Sequence, residues 1–276
     1  MSIRAKSSFE SLQYIKEQLN QYQQLFFTRF GDGEVIAMQG EEHRNYHTSP
    51  GLVKELKESF TINHPRYLIA LSVNFPYEKK MAPGIFAPYP QNNELLHYLE
   101  KSNLLIHQVY ESHFVFHYLA VFYPKIMNGF LNTYIRPRKK MFIGSTPHKT
   151  AEKLYGPIAV YVNIPVRHAY DTIDDWWPAI RDQIEQVDLV IPSAGAASNI
   201  ISKRLWNMDA KVHLIDIGSI VDALEEKQSR IWIRLQGYKI KRILPETYRN
   251  EIFTNIFQNI IHEIKYLFRL YVKRYL

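Results

Sequence analysis

Between Lys140 and Ile217 short apolar runs alternate with segments of helical spacing, and this alternation constrains the fold more than any other feature. The runs Lys140–Gly144, Ile158–Asn163, Asp188–Ser193 and Val212–Ile217 are almost continuously apolar through their centres. Strands of that kind are covered on both faces, which is the condition of a parallel sheet. The intervening segments, Pro147–Tyr155, Ile173–Gln186 and Ala197–Met208, have the periodicity and length of crossover helices. Proline stands near the first turn of one, and Thr172 leads into another. The pattern predicts an α/β fold, a Rossmann-like and mostly parallel sheet with helices on both faces. Sheets of this type bind ligands beyond the carboxyl ends of their strands.

The first half is less regular. Phe9, Leu12, Ile15, Leu19 and Tyr22 recur at helical spacing, and Ser7 with Glu10 reads as a capping box. Leu25–Phe30 predicts a strand that ends in Gly-Asp-Gly, and Tyr67–Val73 predicts another. Pro76, Pro83, Pro88 and Pro90 make the stretch from Phe75 to Pro90 a long surface loop. Leu95–Phe122 predicts one or two helices. Near the end, Phe253, Ile256, Phe257, Ile260, Ile261, Ile264, Leu267, Phe268, Tyr271 and Tyr275 form an apolar stripe. The expected organisation is a Rossmann-like domain over 1–245 and a basic amphipathic helical tail over 246–276.

Charge is unevenly placed. From Ser229 onward there are ten Lys and Arg residues against Glu246, Glu251 and Glu263, so this segment carries the whole net charge of +7. A local basic end points to an anionic surface more than to general nucleic-acid binding, and no nucleic-acid module is visible. The chain has no cysteine, which excludes disulfides, thiolate metal sites and a Cys nucleophile. No stretch approaches the roughly 20 apolar residues of a membrane span, and the start lacks a signal-peptide core. The expectation is a cytoplasmic protein, soluble or peripheral at the inner face of the membrane.

The densest chemistry lies in Arg29-Phe30-Gly31-Asp32-Gly33-Glu34. On extended backbone, residues two apart point to one side, so Asp32 and Glu34 are expected to face one hard divalent cation, Mn²⁺ or Mg²⁺. Gly31 and Gly33 leave room for a diphosphate, and Arg29 adds positive charge. Such a set stabilises a departing nucleoside diphosphate. The plainer alternative is a surface turn with Glu34 as its solvated exit.

These residues, followed by Gly40, resemble the opening of the GT-D fold glycosyltransferases, a bacterial family marked by an Asp-X-Glu motif and once known as a domain of unknown function. Further segments resemble that family in the same order: Lys139–Gly144, Ile164–Tyr170, Leu189–Leu205 with its glycine turn, and Ile215-Asp216-Ile217-Gly218. The likeness runs from about residue 25 to 222. Gly195-Ala196-Ala197-Ser198 stands where the family usually has Gly-Pro-Thr-Ala, and Ser219 where it usually has His. An expected Ser-Arg pair is not clear, and His113–His117 lies near its place.

The resemblance implies sugar transfer, with glucose from a UDP-sugar as the best-known case, to a hydroxyl of a glycan, lipid-linked saccharide or glycoprotein. It implies that Asp32 and Glu34 are the catalytic, metal- and diphosphate-binding carboxylates. Arg29, Gly31, Gly33, Ser193, Gly195 and Asp216 are the expected nucleotide-binding residues, with the turn at Ser193–Ser198 offering backbone N–H groups. A tight structural turn at Gly195 and a structural cap at Asp216 are the alternatives.

Other features favour bland readings. His113 and His117 suit ordinary helix packing better than zinc, since no third ligand is apparent. Ser145-Thr146-Pro147 reads first as a helix start, and Asp174, Asp175, Trp176 and Trp177 read as first-turn acids and packing. Ser193 and Gly195 lack the full nucleophile-elbow pattern. The tail stripe suits membrane contact, a homodimer or packing on the parent domain. Two other functions remain as alternatives: a metal-dependent phosphohydrolase, and a non-catalytic membrane or nucleic-acid adaptor using the tail.

Overall fold

One all-parallel sheet organises the protein in a computed structural model that describes residues 3–42, 47–72, 92–225, 230–249 and 256–272. Its strands are β1 (Arg4–Ala5), β2 (Leu25–Phe30), β3 (Tyr67–Leu71), β4 (Val109–Ser112), β5 (Lys140–Gly144), β6 (Val160–Asn163), β7 (Leu189–Ser193) and β8 (His213–Ile215). Their spatial order is β1-β4-β3-β2-β8-β7-β5-β6. The first half of the chain thus builds outward from β2 on one side. The second half fills the other side and returns to place β8 against β2, with Phe27 opposite Ile215.

The helices are α1 (Ser8–Gln21), α2 (Asp32–Met38), α3 (Pro50–Phe60), α4 (Asn92–Lys101), α5 (Val115–Phe122), α6 (Pro124–Phe130), α7 (His148–Tyr155), α8 (Ile173–Arg181), α9 (Ala196–Asn207), α10 (Ile231–Gln236), α11 (Glu246–Arg249) and α12 (Ile256–Val272). The expected capping box starts α1. Ser7 N–H donates to the Glu10 carboxylate at 2.8 Å, and Glu10 N–H donates to Ser7 Oγ at 3.2 Å.

The alternation of side chains along β2 sorts the two helical layers. Phe26, Thr28 and Phe30 point to one face, where Phe26 meets Trp206 of α9, Thr28 bonds Asn199 of α9, and Phe30 meets Phe60 of α3. Phe27 points to the other face and packs edge-on against Phe116 of α5 at 5.4 Å. Arg29 has the same parity as Phe27. A buried strand with aromatic residues on both faces is what a two-sided parallel sheet requires.

The expected strands and most of the expected helices stand close to their places. The 95–122 region is different: it contains α4, then β4, then α5. The four residues of β4 are half polar, and the aromatic spacing of Tyr110, Phe114 and Tyr118 imitates a helix. Two-residue β1 has too little pattern to be read. The helix expected over 173–186 stops at Arg181 and resumes as a 3₁₀ turn at Ile184–Gln186. The proline-containing stretch from Phe75 to Pro90, and Phe253 and Tyr275 of the stripe, lie outside the described residues.

The Thr28 hydroxyl donates to Asn199 Oδ1 at 2.6 Å, and both side chains are buried. Thr28→Val keeps the shape but leaves that acceptor without its donor. Urea unfolding should show a loss of about 1–3 kcal/mol, since an orphaned buried acceptor costs its desolvation; an unchanged midpoint would refute the role given to this bond.

Candidate functional site

Arg29 is the penultimate residue of β2, and strand parity sends its side chain toward α5 at the carboxyl edge of the sheet. There Nη1 donates to His117 Nδ1 at 3.1 Å and Nη2 to His113 Nε2 at 3.4 Å. Nε lies 4.0 Å from Asp216 Oδ1, just beyond β8. A guanidinium only donates, so each imidazole must accept from it. His113 accepts on Nε2 and so carries its proton on Nδ1, whereas both ring nitrogens of His117 lie within reach of Nη1, Nδ1 at 3.1 Å and Nε2 at 3.4 Å, and Nε2 is also 3.4 Å from Ser219 Oγ.

Gly218 completes this packing. Its φ is +74°, and a Cβ there would lie 2.0 Å from Arg29 Nη1 and 2.7 Å from His117 Cε1. Only glycine satisfies both the torsion and the space. Gly218 N–H in turn donates to Asp216 Oδ1 at 2.8 Å.

The electrostatics follow from burial. Burial, then the charges of Arg29 and Arg230, hold the His113 imidazole well below its ordinary pKa of 6.5. The same causes, with His113 added, do so for His117. Both rings are therefore neutral near pH 7. Burial pushes the Asp216 carboxyl up, opposed by Arg29 and by the Gly218 N–H. The Arg29 charge is thus met mainly by neutral rings and one carboxylate at 4.0 Å. Among the described residues, Arg29 Nε and His113 Nδ1 are buried without a hydrogen-bond partner.

The acidic motif differs from the extended geometry expected of it. Asp32 to Met38 is helix α2, with Gly31 as its cap. Residues two apart on a helix diverge by about 200°, so Asp32 and Glu34 do not share a side. Glu34 turns back and accepts the Gly31 N–H on Oε2 at 2.8 Å, whereas Asp32 is exposed. Burial pushes the Glu34 carboxyl up, against the Gly31 N–H and Arg230, which pull it down. The local cause is legible afterwards: an acid at the third helical position behind a glycine cap is the acidic half of a capping box. A Cβ on Gly31 would lie 3.0 Å from Glu34 Oε2 and 3.2 Å from His113 Nε2, so the motif and the Arg29 cluster are contiguous. Gly33 is buried within α2.

By sequence the chain matches no family model and no curated protein. Its structure is similar to solved ones. A protein described as a new glycosyltransferase (DUF1792) from Streptococcus sanguinis superposes with a TM-score of 0.64 at 21% identity, covering 82% of this chain and 84% of that one. A structure described as showing that the highly conserved domain of unknown function 1792 has a distinct glycosyltransferase fold superposes with a TM-score of 0.57 at 18% identity, covering 93% and 94%. The chain has this glycosyltransferase fold.

Within that fold the Ser193–Gly195 turn ends β7, separated from β2 by β8 alone. Gly195 is exposed with φ +57° and caps α9. Ala194 N–H is already taken by Ser198 Oγ at 3.0 Å. Asp216, Arg29, Gly31 and Glu34 therefore form one cluster, and Ser193 and Gly195 stand beside it on the same sheet edge. His113 and His117 are additions to the expected set. Their four-residue spacing was visible, but that they serve as acceptors for a buried arginine follows only from β4 lying beside β3. Among the described residues, no three His, Asp or Glu side chains are grouped to hold a metal. The 174–177 segment is structural: Asp174 bonds Arg204 at 3.2 Å, Trp176 Nε1 donates to Ala169 O, and Trp177 lies under Arg204.

The buried imidazoles predict acid sensitivity. The unfolded chain binds protons at histidine near pH 6.5, while folded His117 binds them only well below that. Below pH 6.5 the unfolded state therefore holds more protons, and stability falls as pH falls. Glu34 and Asp216, raised from 4.5 and 3.8, act in the opposite sense above those values. His117→Gln keeps an acceptor for Arg29 and removes one titration. Denaturant titrations between pH 7 and 5 should show a shallower acid loss in this variant, by up to about 1.4 kcal/mol per pH unit. An identical slope would mean that His117 takes up its proton over the same pH range in the folded and unfolded chain.

Proposed function

We propose that this chain is a glycosyltransferase that moves a sugar from a nucleotide-sugar donor, a UDP-sugar of the glucose type, to a hydroxyl of a glycan, a lipid-linked saccharide or a glycoprotein. The observation that carries this reading is the position of the Arg29 charge. It lies at the carboxyl edge of the central strand, against neutral imidazoles, in a fold shared with a protein described as a glycosyltransferase.

In such a transfer the acceptor oxygen bonds the anomeric carbon, the bond from that carbon to the diphosphate breaks, and the electron pair leaves with the diphosphate. The acceptor proton passes to a base. The main electrostatic task is the charge that builds on the diphosphate. Arg29 is suited to it because His113 and His117 orient the guanidinium without cancelling its charge. Arg230, at the cap of α10, is close enough to act on Glu34 and both histidines and adds a second cation. The glycine turn before α9 offers helix N-terminal N–H groups one strand away from β8.

The donor set suits Mn²⁺ or Mg²⁺ in one manner only. Asp32 and Glu34 are hard oxygen ligands that diverge from each other on α2, so a cation there would be held by one carboxylate and would complete its shell from phosphate and water. Bound in that manner, the cation would supply further charge neutralisation for the diphosphate.

Asp32→Asn with Glu34→Gln tests the reading. Gln at the third helical position retains the capping interaction, so the fold should hold while both charges go. Turnover of a nucleotide sugar should fall by at least about 10²-fold, and any Mn²⁺-dependent thermal shift with a nucleoside diphosphate should vanish. Full turnover in the double variant would sink the proposal. Release of phosphate from phosphomonoesters, with no glycosylated acceptor, would replace it with a phosphohydrolase.

A further inference from the structure

Helix α12 is anchored to the domain through Glu263 and Tyr266. Tyr266 is 3% exposed, and its ring lies 5.8 Å from that of Phe122. Glu263 pairs with Lys239 at 2.9 Å and accepts the Tyr238 hydroxyl. Away from these anchors, Ile260, Ile264, Leu267 and Phe268 are 52%, 60%, 42% and 64% exposed, with Ile261 beside them. At 100° per residue these five side chains fall within an arc of about 120°. Exposed Lys265 stands at the border of that arc. A contiguous apolar stripe on an anchored helix marks a surface that meets something.

We propose that this face lies on an anionic lipid surface, with the apolar arc at the boundary between headgroups and acyl chains. Charge selects this occupant. The segment from Ser229 onward has ten basic residues against three acidic ones, and with Arg269, Lys273 and Arg274 the bases are dense beside the stripe in sequence. A second copy docked on the same face would bring two such segments together, and like charge opposes that contact. A surface of anionic headgroups is the complement, and each nearby Lys or Arg strengthens the contact about fivefold. No helix among the described residues is long and apolar enough to cross a membrane, so the contact is interfacial. The proposal stands on α12 and the charge of the segment from Ser229 onward and does not depend on the reaction at Arg29.

The test is co-sedimentation of the full chain with vesicles of phosphatidylglycerol and phosphatidylcholine, against phosphatidylcholine alone, with sedimentation velocity of the free protein. Binding should require the anionic lipid and weaken with salt. Ile260→Ser, Ile264→Ser and Phe268→Ser together should reduce it at least about tenfold, and Lys265→Gln about fivefold. Phe268→Trp provides a probe that does not rely on the triple variant folding: the emission of the introduced indole should shift to the blue on anionic vesicles. Absence of binding, equal binding to neutral vesicles, an unshifted emission from the Phe268→Trp variant, or a dimer that the triple variant dissolves would each overturn the proposal.

Discussion

A guanidinium placed at the end of the central strand is the constraint on which the rest of the site depends. Arg29 cannot shed its proton, so its surroundings must supply acceptors. Three parts of the chain meet that demand from different directions. The turn after β4 and the first turn of α5 bring His113 and His117, and the loop after β8 brings Asp216. Gly218 then has to be glycine, because any side chain there would occupy the space of the guanidinium. One buried charge thus ties both halves of the sheet together at β2, where they meet.

The parity of β2 gives that charge its direction. Phe26, Thr28 and Phe30 fasten the strand to α9 and α3, while Phe27 packs on α5. A slip of one residue would turn Arg29 into the packed layer beneath α9, away from His113 and His117. The hydrophobic demand of the core therefore positions the one charged residue of the strand. The glycine-acid motif begins where this strand ends. Its second acid serves the backbone by capping α2, and its first acid faces solvent. Structural and chemical roles are divided between two carboxylates that look equivalent in sequence.

The protein has two separate concentrations of positive charge. At the sheet edge, Arg29 is largely buried and partnered by His113 and His117, an arrangement fit for a small anion of defined shape. From Ser229 onward basic residues outnumber acidic ones in sequence and α12 carries an exposed apolar arc, a combination fit for an extended surface. Glu263 and Tyr266 keep the second region at a fixed attitude to the first.

The sequence by itself determined the layer architecture, because strands buried on both faces must be apolar throughout and crossover helices must be amphipathic. β2, β5 and β7, the capping box of α1 and the tail helix were all legible for that reason. So was the placing of the charged Arg29–Glu34 segment at the end of a strand, the edge that ligands favour in such sheets. Tertiary structure alone decided which groups gather there. His113 and His117 are 84 and 88 residues from Arg29 along the chain, and only the placement of β4 beside β3, and β3 beside β2, brings them to it. It also decided that Asp32 and Glu34 diverge. Whether a short glycine-acid stretch continues as strand or starts a helix is set by the backbone around it, and two residues carry too little periodicity to say.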